Sequence, residues 1–123
     1  MTKTAVSYQL WIALRRPLQI EIGRLGLLSF PAGVYVYTGS AKRNLEARIA
    51  RHCRREKTPH WHIDHLLAAR GVELVCVGRS ARAECALNKA TGGAVLVAGF
   101  GASDCRKACG SHLRYLGARR EPG

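Results

Sequence analysis

Residues 33–53 read GVYVYTGSAKRNLEARIARHC. The first half alternates: Val34 and Val36 share one face, Tyr35 and Tyr37 the other, and Gly39 ends the run. That is the period of a strand. The period then changes. Over about 43–56, Leu45, Ile49 and Cys53 recur at helical spacing as an apolar stripe, and Arg48, His52 and Arg55 form a neighbouring one. A strand that feeds a basic helix is the anchor from which the rest of the fold is read.

Upstream, residues 5–14 alternate, with Val6, Tyr8, Leu10, Ile12 and Leu14 on one face. Arg15-Arg16-Pro17 makes a turn and residues 18–22 alternate again, which predicts a hairpin. Glycines and Pro31 punctuate the next stretch, with a short strand at 27–30. The expected centre is a three-stranded, mainly antiparallel sheet from 6–14, 18–22 and 33–38. Downstream, Thr58-Pro59 opens a helix over 59–69 with Ile63, Leu66 and Leu67 inward, and Gly71 stops it. A strand follows at 73–78. Ser80 is expected to cap a helix at 81–90 that carries Glu84 in its first turn, and a last short strand falls at 94–98. The order β-β-β-α-α-β-α-(β) is that of an α+β domain. One domain over 1–117 with a tail at 118–123 accounts for the whole chain.

The 123 residues suit a single domain, and 47% hydrophobic content excludes a disordered basic tail. Lys+Arg is 20 against 8 Asp+Glu, a net charge of +12. Such a one-sided excess points to a polyanionic partner, DNA in single-stranded, duplex or branched form, or RNA. Seven of the 20 basic residues lie between Lys42 and Lys57. Of these, Lys42, Arg43, Arg51, Arg54, Arg55 and Lys57 are the expected phosphate contacts. The longest apolar runs, 94–98 among them, are far below the roughly 18 residues of a membrane span. No export signal is expected at the N-terminus, and no obligate protein partner is evident. The five cysteines are odd in number, and Cys76 and Cys85 sit in apolar patterns as small core residues. A cytoplasmic location follows as the expectation.

Tyr37 closes the strand, and Arg48 and His52 stand four apart on the helix that follows. A tyrosine, a guanidinium and an imidazole converging on one point suit phosphate chemistry. The stretch from Tyr37-Thr38-Gly39 to Arg48 and His52 resembles the second half of the GIY-YIG nuclease signature, with Val6-Ser7-Tyr8 standing for its first half. Tyr8 is then the first tyrosine, with Tyr35 of Gly33-Val34-Tyr35 as the alternative. The ordered set Gly23-Arg24-Leu25-Gly26, residues 31–41, His60-Trp61-His62-Ile63-Asp64, Glu84-Cys85, Gly99-Phe100-Gly101, Ser103-Asp104-Cys105 and Ser111-His112-Leu113 resembles the DUF123 branch, classed with Uri-type endonucleases and in part fused to base-excision DNA repair enzymes.

The resemblance implies a GIY-YIG-like fold and metal-dependent hydrolysis of phosphodiesters. Glu84 would hold one Mg²⁺ or Mn²⁺. Tyr37 or Tyr8, or else His52, would orient or deprotonate water, and Arg48 would stabilise the transition state. For a tyrosine to act as base its pKa must fall, and clustered arginines are expected to lower it. The other reading is a catalytically inactive nucleic-acid-binding module on the same fold. Cys105, Cys109 and His112, with His60 or His62 as a fourth ligand, have the residue types of a Zn²⁺ site, but C-x3-C-x2-H matches no standard finger. A loop held by hydrogen bonds is the simpler account of that motif.

Overall fold

The computed structural model describes residues 5–22, 25–41, 44–54, 62–96, 100 and 111–117. Expectations placed on Lys42, Arg43, Arg55, Lys57, His60, Cys105 and Cys109, and on the Thr58-Pro59 cap, lie outside these residues. In chain order the elements are β1 (Ser7–Leu14), β2 (Leu18–Ile22), β3 (Gly26–Phe30), β4 (Gly33–Ser40), α1 (Leu45–Cys53), α2 (His62–Ala68), β5 (Val72–Ser80), α3 (Glu84–Thr91) and β6 (Leu113–Gly117). The class is α+β, as the mixed periodicities require.

The main sheet has four strands in the order β5-β1-β4-β6, all antiparallel. β1 is its centre. It pairs with β4 from Ser7↔Ser40 to Leu14↔Gly33, and with β5 from Ser7↔Ser80 to Leu14↔Val72. Two expectations are corrected here. The sheet is not three-stranded, and β2 is not in it: β2 pairs with β3 in a separate two-stranded sheet. Strand length explains the choice. β1 has 8 residues, and β4 with 8 and β5 with 9 satisfy it along its whole length. β2 has 5 residues, and as a neighbour it would leave part of a buried backbone ladder unpaired.

The two faces of the sheet carry different layers. Tyr8, Leu10, Ile12 and Leu14 of β1 join Tyr35 and Tyr37 of β4 in one core, covered by Ile49 of α1, Ile63 and Leu66 of α2, and Ile22 and Phe30 of the β2–β3 hairpin. α3 lies against the other face. There Ser7 Oγ donates to the Arg82 carbonyl at 2.7 Å, Ser40 Oγ donates to Glu84, and the Gln9 amide reaches both Thr38 and Thr91.

Further differences from the sequence reading have local causes. Ser80 does not cap α3. It is consumed by the β5 ladder, its hydroxyl accepts the Arg82 N–H, and Ala83 takes the N-cap position without a side-chain bond. The strand expected at 94–98 reduces, among the described residues, to one bridge between Ala94 and Tyr115. β6 forms instead from residues whose pattern is too short to show a period. Cys76 is exposed on the edge strand β5 and is no core residue, whereas Cys85 is half-buried.

Leu10 is fully buried at the middle of β1. Leu10→Ala is expected to cost about 2–5 kcal/mol, the range for emptying a leucine site in a core. Urea unfolding of the two proteins measures it, and a loss well under 1 kcal/mol would mean that β1 is not central.

Candidate active site

β4 ends at Ser40, and the expected site residues gather around that end. Register places Tyr8 directly opposite Gly39. A Cβ at position 39 would fall on the Cζ and hydroxyl of Tyr8, so the glycine is what lets the ring lie across the strand. The Tyr8 hydroxyl thereby comes to 2.7 Å from His52 Nε2. Tyr37 lies on the same face as Tyr8, edge-on to His52 with ring centroids 6.2 Å apart and edge-on to Phe100 at 6.3 Å. α1 turns His52 inward because it stands one turn beyond the buried Ile49. Behind it, Arg51 Nη1 straddles both carboxylate oxygens of Asp64 on α2, at 2.9 and 3.0 Å, and His52 Nδ1 is 3.9 Å from Asp64 Oδ1.

Ser40 joins this group to α3. Its carbonyl accepts from Arg48 Nη1 at 2.6 Å, and its hydroxyl donates to Glu84 Oε2 at 2.8 Å. His112 Nδ1 meets the other oxygen of Glu84 at 2.8 Å. His112 is carried there by the strand pairing, since the Thr38 N–H donates to its carbonyl. The five expected residues therefore meet at one end of β4, but as two groups on two faces. Tyr8, Tyr37 and His52 form one; Glu84 with Ser40 and His112 forms the other, and Arg48 links them through Ser40.

The sequence pattern together with the family resemblance places Tyr8, Tyr37, Arg48, His52 and Glu84 around one solvent-accessible pocket, and the structure corrects this. Tyr8, Tyr37 and His52 are only 2%, 6% and 2% exposed. Among the described residues, a cavity of about 240 Å³ lies behind His52, lined by Cys53, Arg54, Leu67, Val72, Glu73 and Leu74, and none of the other four expected residues reaches it. The cause is the same alternation that identified the strands. Tyr8 and Tyr37 share the core-facing side with Leu10, so they are buried with it.

The tyrosine acidities also run opposite to expectation. Burial drives Tyr8 far above its ordinary value of 10; Arg48 pulls against this, while Glu84 and Asp64 add to it. Burial does the same to Tyr37, reinforced by Tyr8, Glu84 and Asp64, with Arg48 opposing. The guanidinium of Arg48, joined at Tyr8 by that of Arg51, does not offset the lost hydration of a phenolate. Glu84 goes the other way. Burial favours its neutral form, but the hydrogen bonds from His112 and Ser40, with the charges of His112 and Arg48, bring it below the usual 4.5. It is a carboxylate at neutral pH, with its side chain 26% exposed.

That carboxylate suits a divalent ion whose remaining ligands are waters and substrate phosphates. Among the described residues no three His, Cys, Asp or Glu side chains are grouped to hold a metal between them, so Glu84 would be a lone protein anchor. The remaining candidates have separate surroundings. The Tyr35 hydroxyl donates to the Pro31 carbonyl at 2.6 Å and its ring packs on Tyr115, towards the other end of β4. His62 packs edge-on against Phe100 at 5.6 Å, and burial followed by the charge of His65 lowers its pKa. His112 serves Glu84 and lies 3.9 Å from Cys85 Sγ. Arg54 is exposed as a phosphate contact requires, whereas Arg51 is turned to Asp64. Ser40 and Asp64 were not read as site residues from the sequence, and His112 was read only with Cys105 and Cys109, not as a partner of Glu84. Each stands in a stretch already singled out, but nothing in its spacing shows what it touches.

Residues 7–122 match the family described as a domain of unknown function, DUF123, and the chain belongs to that family. No curated protein and no solved structure matches it.

Two outcomes test this geometry. Gly39→Ala is expected to displace the Tyr8 ring and to cost about 1–3 kcal/mol, the range for overpacking; an unchanged unfolding midpoint would contradict the contact. For Glu84, a carboxyl whose folded pKa is depressed stabilises the protein above its unfolded value and loses that contribution as pH falls through the folded one. The wild type should therefore be more stable than Glu84→Gln at pH 6, with the gap closing below about pH 4.5. Thermal unfolding of both proteins across pH 3–7 measures it, and a gap independent of pH would refute the ionised pairing.

Proposed function

We propose that the protein is a metal-dependent DNA endonuclease of GIY-YIG type, hydrolysing phosphodiester bonds. The observation that carries this reading is the 2.7 Å contact between the Tyr8 hydroxyl and His52 Nε2, set beside the Arg48–Ser40–Glu84 chain at the end of β4. In the reaction, water attacks phosphorus, the bond to the 3′-oxygen breaks, and the products carry a 5′-phosphate and a 3′-hydroxyl. A neutral tyrosine with raised pKa is a poor standing base. Tyr8 instead takes the water proton only as it gives its own to His52 Nε2, so no buried phenolate accumulates. Tyr37 packs against the imidazole and holds it in place. Arg48 is half-buried, stays cationic and offers charge to the pentacovalent phosphorus. Glu84 would hold one Mg²⁺ or Mn²⁺, which when bound supplies positive charge for the departing oxygen.

The second reading is a nucleic-acid-binding module without catalysis. What favours it is burial: Tyr8, Tyr37 and His52 lie beneath the surface, and Glu84 approaches from the opposite face of the sheet. Both readings use the same charge of +12.

A cleavage assay on single-stranded, duplex and branched DNA, with Mg²⁺, Mn²⁺ or EDTA, separates them. The endonuclease reading expects metal-dependent cutting that falls about 10²–10³-fold in Glu84→Ala and Arg48→Ala, with DNA affinity retained. Full cleavage by Glu84→Ala would remove the metal assignment, and binding without cutting would leave the module. On either reading, affinity for DNA should fall steeply as salt rises, because bound counterions are released. Affinity that ignores salt, measured by fluorescence anisotropy, would count against nucleic acid as the partner.

A further inference from the structure

Asp64 is fully buried on α2, and neither the phosphodiester chemistry nor the charge complement above uses it. A carboxylate so placed needs a compensating charge, and Arg51 Nη1 supplies it to both oxygens at 2.9 and 3.0 Å. Arg51 keeps Asp64 anionic and fixes its direction. Asp64 Oδ1 then lies 3.9 Å from His52 Nδ1, and both side chains are sealed from solvent.

That distance is too long for a hydrogen bond but short for an unscreened charge. It discriminates between the two neutral forms of the ring. With the proton on Nδ1, an N–H dipole faces the negative oxygen. With the proton on Nε2, a lone pair faces it. The first form is favoured, and it leaves Nε2 as a bare acceptor against the Tyr8 hydroxyl at 2.7 Å. Among the described residues, other groups near the ring include Tyr37 from β4, Arg51 through its pair with Asp64, and Cys53, Arg54 and Glu73, which line the same cavity. Asp64 Oδ1 is the carboxylate oxygen that approaches His52 Nδ1 within 4 Å.

We propose that Asp64 is the positioning residue of a buried Tyr8–His52–Asp64 relay: it holds His52 with Nε2 open to the Tyr8 hydroxyl and stabilises the imidazolium formed when the proton crosses. The balance is simple. The Tyr8 O–H bond breaks and the Nε2–H bond forms. The tyrosine oxygen takes the proton of the attacking water; after the bond to phosphorus is made, the Nε2 proton returns to the Tyr8 oxygen as the Tyr8 proton passes to water, from which the departing 3′-oxygen is protonated. In its catalytic role this rests on the endonuclease reading; the arrangement of protons at rest does not.

The test is two-bond ¹H–¹⁵N correlation spectroscopy of the full chain labelled with ¹⁵N-histidine, the His52 signals being those lost in His52→Gln. In the wild type at a pH where His52 is neutral, Nε2 should show the unprotonated shift and Nδ1 the protonated one. Tyr8→Phe removes the hydroxyl but leaves Asp64, and should keep that pattern. Asp64→Asn should reverse it or mix the two forms. A wild type protonated on Nε2, or a Tyr8→Phe variant whose pattern reverses, overturns the proposal. So does an Asp64→Asn variant identical to wild type. If Asp64→Asn does not fold, the first two spectra still decide. These readings need no turnover, so a chain that cuts no DNA but shows the expected spectra refutes the endonuclease reading and leaves the relay intact. If it does cut, Asp64→Asn should lower kcat about 10- to 100-fold, the usual range for an outer partner of a functional histidine, with KM for DNA unchanged.

Discussion

The antiparallel register of β1 on β4 sets Tyr8 against Gly39, and the arrangement at the end of β4 depends on it. A slip of one residue would turn Tyr8 to the other face. The side chain opposite position 8 would then be Thr38 or Ser40, and the hydroxyl could not meet His52. The same register puts Leu10 against Tyr37 and closes the core beneath α1. Core packing and the polar contact are thus two consequences of one strand alignment.

A buried polar network of this kind is stable only if its members are paired. Tyr8 has His52, Asp64 has Arg51, and Glu84 has Ser40 and His112. Each pair joins elements distant in sequence: β1 to α1, α1 to α2, and β4 to α3 and the entry of β6. The pairing therefore does structural work by fixing how the helices sit on the sheet. It also keeps side chains in orientations that ordinary core residues would not need. Two tyrosines and a histidine under one strand end, with a carboxylate on its far side, make little sense as packing alone.

Much of this was legible in the sequence. The period-2 runs gave β1, β2 and β4, and the change of period after Gly39 gave α1. Glu84 was placed in the first turn of a helix read at 81–90, and α3 begins with it; its part as a metal ligand came only from the family resemblance. Tyr8 was taken as the first tyrosine of the motif, with Tyr35 as the alternative, only through the family resemblance; in the structure Tyr8 meets His52 and Tyr35 bonds to the Pro31 carbonyl. Sheet order was not legible. Which strands become neighbours depends on matching lengths and on satisfying backbone groups, and β2 looked as good a partner for β1 as β4 did. The depth of the tyrosines was missed for a related reason, since alternation reports which face a residue shares and not how thickly that face is covered. Partners such as Ser40, Asp64 and His112 are invisible in one dimension because the side chains they meet stand far along the chain: Ser40 and Glu84 are 44 positions apart, and Arg51 and Asp64 are 13.

On the endonuclease reading proposed above, the Tyr8–His52 contact moves a proton during phosphodiester cleavage. Single-turnover cleavage of a labelled DNA by wild type and by Tyr8→Phe, in Mg²⁺, tests it most directly. The variant keeps the ring over Gly39 and loses only the hydroxyl. The account predicts metal-dependent cutting by the wild type and a rate lower by about 10²–10⁴-fold in the variant, the contribution of a placed acid–base group. Equal rates for the two proteins would contradict it.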